Sequence, residues 1–301
     1  MTITTANGIE LAWEEFGDAG ETILLIAGLG SQMIRWTRSF CEGLAARGYR
    51  VIRFDNRDAG LSTHFSAVAA PDFGMLASTL MAGGKPDVAY TLYDMATDAI
   101  GLLDELAISR VHAVGRSMGG MIAQILASEH PDRVLSLTSI MSSSGNPALP
   151  QAGSDVMAMM MRPAPDPADD PGGFLEVRMA FARRIAGTVL PFDEDSHRAV
   201  LLEEAARCHD PRGTARQIAA MAVAGDRRTR LATITAPALV IHGTEDPLIP
   251  LACGQDTALS IPNARFLPIE GMGHDLPPEL NPTVIEAICE CKEAIPAGLE
   301  T

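Results

Sequence analysis

Residues 113–120 read AVGRSMGG: an apolar run ends in Gly115-Arg116-Ser117, and MGGMIAQILASEH follows at once with the spacing of a helix. A serine on so sharp a strand-to-helix turn has a strained backbone and stands clear of the chain. Its hydroxyl sits beside a helix N-terminus, where unpaired N–H groups favour a developing negative charge. Glycine suits positions 115 and 119 because side chains there would collide with the neighbouring elements. With 27 glycines in 301 residues, however, G-x-S-x-G also arises by chance. Whether Ser117 is a nucleophile or a small residue in a turn is decided by the rest of the chain.

Working outward, short apolar runs alternate with longer helical stretches. TILLIAG (22–28), RVIRFDN (50–56), VHAVGRS (111–117), LSLTSIMSS (135–143), ALVIHGT (238–244) and ARFLPIEG (264–271) have strand composition and end in turn formers. Helices are expected over 36–47, 92–106, 118–129, 252–260 and 282–294. This alternation predicts an α/β fold with a mostly parallel, doubly wound sheet covered on both faces. Residues 2–5 and 9–16 read as an antiparallel lead-in. Two segments break the rhythm. Residues 63–91 form a long connection punctuated by Gly and Pro. Residues 144–228 show no strand pattern and hold a methionine cluster (157 and 159–161), the turn PAPDPADDPGG and two or three helices. A helical lid over 144–228, inserted into a core of 1–143 and 229–301, is the expected organisation, since loops that long are seldom plain connections.

In an open parallel sheet, reactive groups gather beyond the carboxyl ends of the strands. Ser117 is at such an end. A serine hydroxyl needs a base, and His274 in IEGMGHDLP follows the last strand in a glycine-flanked turn. His112 and His242 lie within apolar strands, His130 closes a helix, and His64, His197 and His209 fall in the irregular segments. For His64 a lid or pocket role stays open. The base needs an acid to fix its tautomer, and VIHGTEDPLIP supplies Asp246 after the penultimate strand. Its neighbour Glu245 competes, but a residue before proline is held extended and has a fixed direction. The chain order Ser117, Asp246, His274 is that of a doubly wound hydrolase sheet. Two N–H donors for an oxyanion are expected: Met118 at the start of the nucleophile helix, and Leu29, with Gly28 as fallback, after ILLIAG. A dinucleotide-loop reading of AGLGSQM, with Asp55 as its ribose acid, fails because Met33 occupies the third glycine position.

Composition narrows the partners. The formal charge is −15 and the pI about 4.8, which disfavours nucleic acid and anionic membrane surfaces. No apolar run approaches the ~18 residues of a membrane span, and MTITTANGIE lacks the basic and apolar regions of a secretory leader. Five scattered cysteines fit neither a disulfide framework nor a zinc site, so reduced thiols and a cytoplasmic location are expected.

GRSMGG, HGTEDPLIP and GMGHDLP, together with RFDNRDAGLS near the second strand, resemble the α/β-hydrolase fold family over roughly residues 8–290. Within it, FDNRDAGLST, YTLYDMATDAIGLLDELAI and GMGH look most like the aclacinomycin methylesterase and macrolide esterase branch. The resemblance implies catalytic Ser117, Asp246 and His274, oxyanion donors at Met118 and near Gly28 or Leu29, and no metal or organic cofactor. It makes Asp55, Arg57 and Ser62 architectural. Many members carry His-Gly where this chain has Ala27-Gly28, so any contact made by that histidine is missing. Serine at position 117 sets the chain apart from haloalkane dehalogenases and epoxide hydrolases, which resemble it but place an aspartate there. The expected activity is hydrolysis of an apolar, bulky ester or lactone, polyketide- or macrolide-like, through an acyl-enzyme. C–C bond hydrolysis, perhydrolysis and a slow-turnover small-ligand receptor use the same triad. Met33, Trp36, Met157 and Met160 are expected at the substrate pocket, with Met75, Leu76 and Leu80 as further apolar wall. Arg116 is expected to pair with a surface carboxylate, the alternative being that it steers an anionic group. The partner is a small-molecule ester, and pairing of chains into a homodimer is left open.

Overall fold

The computed structural model describes residues 1–291. In chain order the elements are β1 (Thr2–Ala6), β2 (Ile9–Phe16), β3 (Thr22–Ile26), α1 (Arg38–Ala45), β4 (Arg50–Phe54), α2 (Phe73–Met81), α3 (Leu92–Glu105), β5 (Val111–Arg116), α4 (Met118–Glu129) and β6 (Val134–Ile140). Four helices then intervene: α5 (Ser154–Met161), α6 (Pro171–Ile185), α7 (Glu194–Arg207) and α8 (Pro211–Ala224). The short α9 (Arg228–Leu231), β7 (Ala238–Gly243), α10 (Leu251–Ser260), β8 (Arg265–Ile269) and α11 (Asn281–Cys291) complete the fold. The expected strands and helices are present, with ends shifted by a few residues; positions 292–294 of the expected last helix lie outside the described residues.

The strands form one sheet in the order β1-β2-β4-β3-β5-β6-β7-β8, antiparallel through β1, β2 and β4 and parallel from β4 onward. β3 shows why the sheet is buried on both faces. All five of its residues are buried; Ile23 and Leu25 join one core, Leu24 and Ile26 the other. That is the alternation a two-sided parallel strand requires. One core takes Met95, Leu102 and Leu103 from α3 with Ile122, Ile125 and Leu126 from α4. The opposite core takes Phe40 and Leu44 from α1 with Val284, Ile285 and Ile288 from α11. Among the described residues no helix is long and apolar enough to cross a membrane.

Strand order reverses its direction of growth at β3. β4 lies on one side of β3 and β5 on the other, with Ile26 level with Gly115. The loops leaving the carboxyl ends of β3 and β5 therefore open side by side, at the switch point where such sheets bind ligands. The connection 63–91 is not wholly irregular: Asp72 caps α2 by accepting from Gly74 N and Met75 N. On that helix Met75 and Leu80 are exposed and Leu76 is buried, and none of the three reaches the main cavity.

Candidate active site

Ser117 occupies the turn between β5 and α4 with φ 54° and ψ −122°, a conformation an L-residue adopts only when its surroundings force it. Here they do. Its N–H donates to Ile140 O at 2.8 Å, and its carbonyl accepts from Ser142 Oγ at 2.8 Å and from Gly120 N at 2.9 Å. The flanking glycines answer to contact. A Cβ on Gly115 would stand 2.0 Å from Gly119 O, and one on Gly119 would stand 2.2 Å from Ile26 O. β3, β5 and α4 pack backbone to backbone at this point, and no other residue fits.

From the ends of β7 and β8 two more side chains arrive. His274 Nε2 lies 3.0 Å from Ser117 Oγ, and His274 Nδ1 lies 2.7 Å from Asp246 Oδ2. The other oxygen of Asp246 accepts from Leu248 N and Ile249 N, each at 2.9 Å, so the loop itself aims the carboxylate. His242 Nε2, bonded to Ile249 O at 2.7 Å, stands 3.5 Å from Asp246 Oδ2. Burial alone would push the Asp246 carboxyl up. The charge of His274, hydrogen bonds from His242 and His274, and the Ile249 N–H outweigh it and hold Asp246 well below the usual carboxylate range. Glu245 turns away and accepts from Thr188 N and Oγ1.

Gly28 and Leu29 leave β3 beside the serine: a Cβ on Gly28 would lie 3.2 Å from Ser117 Cβ. Among the described residues the N–H groups of Gly28, Leu29 and Met118 donate to no protein acceptor. The loop is pinned from afar. Gln217 on α8 accepts from Gly30 N at 2.8 Å and donates to Arg57 O at 2.8 Å. These partners are 187 and 160 residues distant in sequence, and no local pattern singles Gln217 out. DNRDAGLS is a buried scaffold: Asp55 accepts from Met33 N, Arg57 pairs with Asp98 at 2.6 Å, and Ser62 bridges Ala12 N and Asp55 O.

Ser117 and His274 open onto a cavity of about 820 Å³ between the carboxyl edge of the sheet and helices α5 to α8. Met121, Phe174, Phe181, Ile218 and Met221 give it apolar wall, and Met157 and Met160 line it. Met33 and Trp36 do not, contrary to the sequence expectation. Residues 33–35 form a single 3₁₀ turn that sends both side chains inward, where Met33 is fully buried and Trp36 packs against Phe40. Arg116 departs too: its Nη1 donates to Arg35 O at 3.3 Å and its guanidinium stands over Trp36, with no carboxylate within ion-pair distance among the described residues. His64 reaches the cavity and bonds Asp210 at 2.9 Å. Asp58, His64 and Asp210 place potential metal ligands together, but Arg216 already occupies both Asp58 oxygens and approaches Asp210, supplying the cation itself.

A serine–imidazole–carboxylate chain of this geometry, beside free amide donors, can carry out acyl transfer. Comparison with known proteins points the same way. The chain is 31% identical to the rhodomycin D methylesterase DauP of a Streptomyces species (strain C5), with 95% of each chain covered. It is 28% identical to a 2-hydroxy-6-oxononadienedioate/2-hydroxy-6-oxononatrienedioate hydrolase of Cupriavidus pinatubonensis, covering 86% of this chain and 82% of that one. Among solved structures, an enol-lactonase from Burkholderia xenovorans superposes with a TM-score of 0.71 at 22% identity, over 96% of this chain and 99% of the other. The family model for the alpha/beta hydrolase fold matches residues 21–279. With the doubly wound sheet and its switch-point turns already described, that match places the chain in the α/β-hydrolase fold family.

Proposed function

We propose that this protein hydrolyses a carboxylic ester, a methyl ester of a bulky and mostly apolar acid, through an acyl-enzyme on Ser117. The observation that carries the reading is the unbroken chain from Ser117 Oγ through His274 to Asp246, opening on a cavity of about 820 Å³. Ser117 Oγ attacks the ester carbonyl while its proton passes to His274 Nε2, and the N–H groups of Met118 and Leu29 or Gly28 hold the oxyanion. The C–O bond to the alcohol then breaks, and the departing oxygen takes the proton from His274. Water repeats the sequence on the acyl-enzyme, giving its proton to His274. The acid leaves and Ser117 regains its proton. Asp246 steadies the imidazolium throughout.

The cavity volume and its methionines favour a large acyl portion, since flexible thioethers adapt to irregular apolar surfaces. The similarity to a methylesterase supports a small alcohol. Helices α5 to α8 act in this reading as the lid that excludes water. The test is a panel of methyl esters of polycyclic acids, short p-nitrophenyl esters, lactones and a C–C cleavage substrate. Repeated turnover of the bulky methyl esters is expected, with Ser117→Ala lowering kcat by roughly 10⁴ or more. Equal rates in both proteins, a single turnover with tight retention of ligand, or activity confined to the C–C substrate would each reject the proposal.

A further inference from the structure

Most charged groups along the cavity have close partners. Arg35 forms an ion pair with Glu204 at 2.6 Å, and His197 with Asp275 at 3.1 Å. Asp58 is taken by Arg216, and Asp210 by His64 and Arg216. Two guanidiniums form no ion pair of their own among the described residues. Arg116 makes the carbonyl and indole contacts given above and feels the charge of Asp275 at longer range; Arg178, on α6, has the ring of Phe174, 6.0 Å from its guanidinium carbon, and feels the charge of Glu204 in the same way. Neither has a carboxylate within ion-pair distance among the described residues, and both line the cavity that holds Ser117. Burial pushes both guanidiniums below the ordinary arginine value, a cost that a bound anion would relieve.

We propose that Arg178, assisted by Arg116, is a specificity determinant that receives a carboxylate carried by the acid portion of the substrate, away from the scissile ester. The inference rests on the ester-hydrolase reading and narrows it to half-esters of acids with a second, ionised acid group. A guanidinium presents its N–H donors as a planar fork that matches a carboxylate in two parallel hydrogen bonds. Phe174 holds the fork by its face while leaving the donor edges unused. Arg178 lies on α6 and Ser117 at the edge of the sheet, so the two ends of such a substrate would be gripped by different parts of the molecule. Substrate length between the two acid groups thereby becomes a selected property.

Monomethyl esters of straight-chain dicarboxylic acids of graded length, each compared with its dimethyl ester, test this. Hydrolysis is read as kcat/KM in the wild type, and binding by calorimetric titration of Ser117→Ala. At one chain length the half-ester should lead its dimethyl counterpart by roughly ten- to hundredfold in both readouts. Arg178→Gln should bring that ratio toward one, and Arg178→Lys should restore part of it. If the glutamine variant does not fold, competition by free dicarboxylates against monocarboxylates in the wild type decides the same question. Equal treatment of the two esters at every length, or a ratio indifferent to Arg178→Gln, would overturn the proposal. Charge-selective binding without hydrolysis would reject the esterase reading alone, and hydrolysis without charge selectivity would reject this inference alone.

Discussion

Ser117 holds its strained backbone, of order 1–3 kcal/mol, because four hydrogen bonds fix its amide and carbonyl. The strain aims the hydroxyl; in the proposed mechanism the imidazole must then be aimed at it, and that role falls to Asp246. Its Oδ1 is committed to two backbone N–H groups, which leaves Oδ2 as acceptor for His274 Nδ1–H. Asn at 246 can keep Oδ1 where it is, but it then presents an NH₂ to the imidazole and selects the tautomer that cannot accept the serine proton. Asp246→Asn should therefore fold with a near-native melting temperature and lose about 10³–10⁴ in kcat while KM changes little. A loss below tenfold would remove Asp246 from the mechanism. These three residues were legible in the sequence because each follows a strand in a turn of recognisable composition. The Gly115 and Gly119 contacts were legible as a requirement, though which backbone atoms demand them was not.

Elements were legible where their period is regular. β3, β5 and α4 emerge at their expected places since consecutive apolar runs, or apolar residues at helical spacing, leave little choice of partner face. Irregular turns carry no such period, which is why the inward rotation of Met33 and Trp36 escaped the sequence. The same holds for contacts between distant elements, such as Gln217 with Gly30 or His197 with Asp275. That last pair ties α7 to the residue after His274. Burial would lower the His197 pKa, but the hydrogen bond and charge of Asp275 raise it above the ordinary histidine value. Burial would raise Asp275, but His197 and Arg116 hold it below the ordinary carboxylate value. The His197 contribution is thus complete below its unfolded pKa and fades as pH rises through its raised folded value. The Asp275 contribution is complete above its unfolded pKa and fades as pH falls through its depressed folded value. Between about pH 4 and 6.5 both are present. His197→Gln should accordingly speed amide exchange in α7 most at pH 5–6 and least at pH 9. A gap between variant and wild type that widened toward pH 9 would contradict the assignment.

At the scale of the whole molecule, helices α7 and α8 are joined to the sheet by groups that cannot be separated cheaply. Arg216 meets both oxygens of Asp58, at 2.7 and 2.8 Å, with both side chains buried, and Tyr90 and Phe65 N complete the carboxylate's partners. Arg207 reaches the fully buried Asp55 at 2.5 Å, and Gln217 pins the turn after β3. Lifting the helices off would leave two buried carboxylates without their guanidinium partners and the Gly30 amide without its acceptor. The helical segment is therefore expected to unfold together with the sheet, in a single calorimetric transition. Removing one partner exposes the coupling. Arg216→Met leaves the Asp58 charge buried and unpaired, which should cost about 3–5 kcal/mol and lower the melting temperature by roughly 5–15 °C. Adding Asp58→Asn removes the stranded charge, so the double variant should recover much of the loss although it has one native group fewer. A separate transition for the helices below that of the sheet, or a double variant less stable than Arg216→Met alone, would show that the helical layer rests on the sheet without these bonds holding it there.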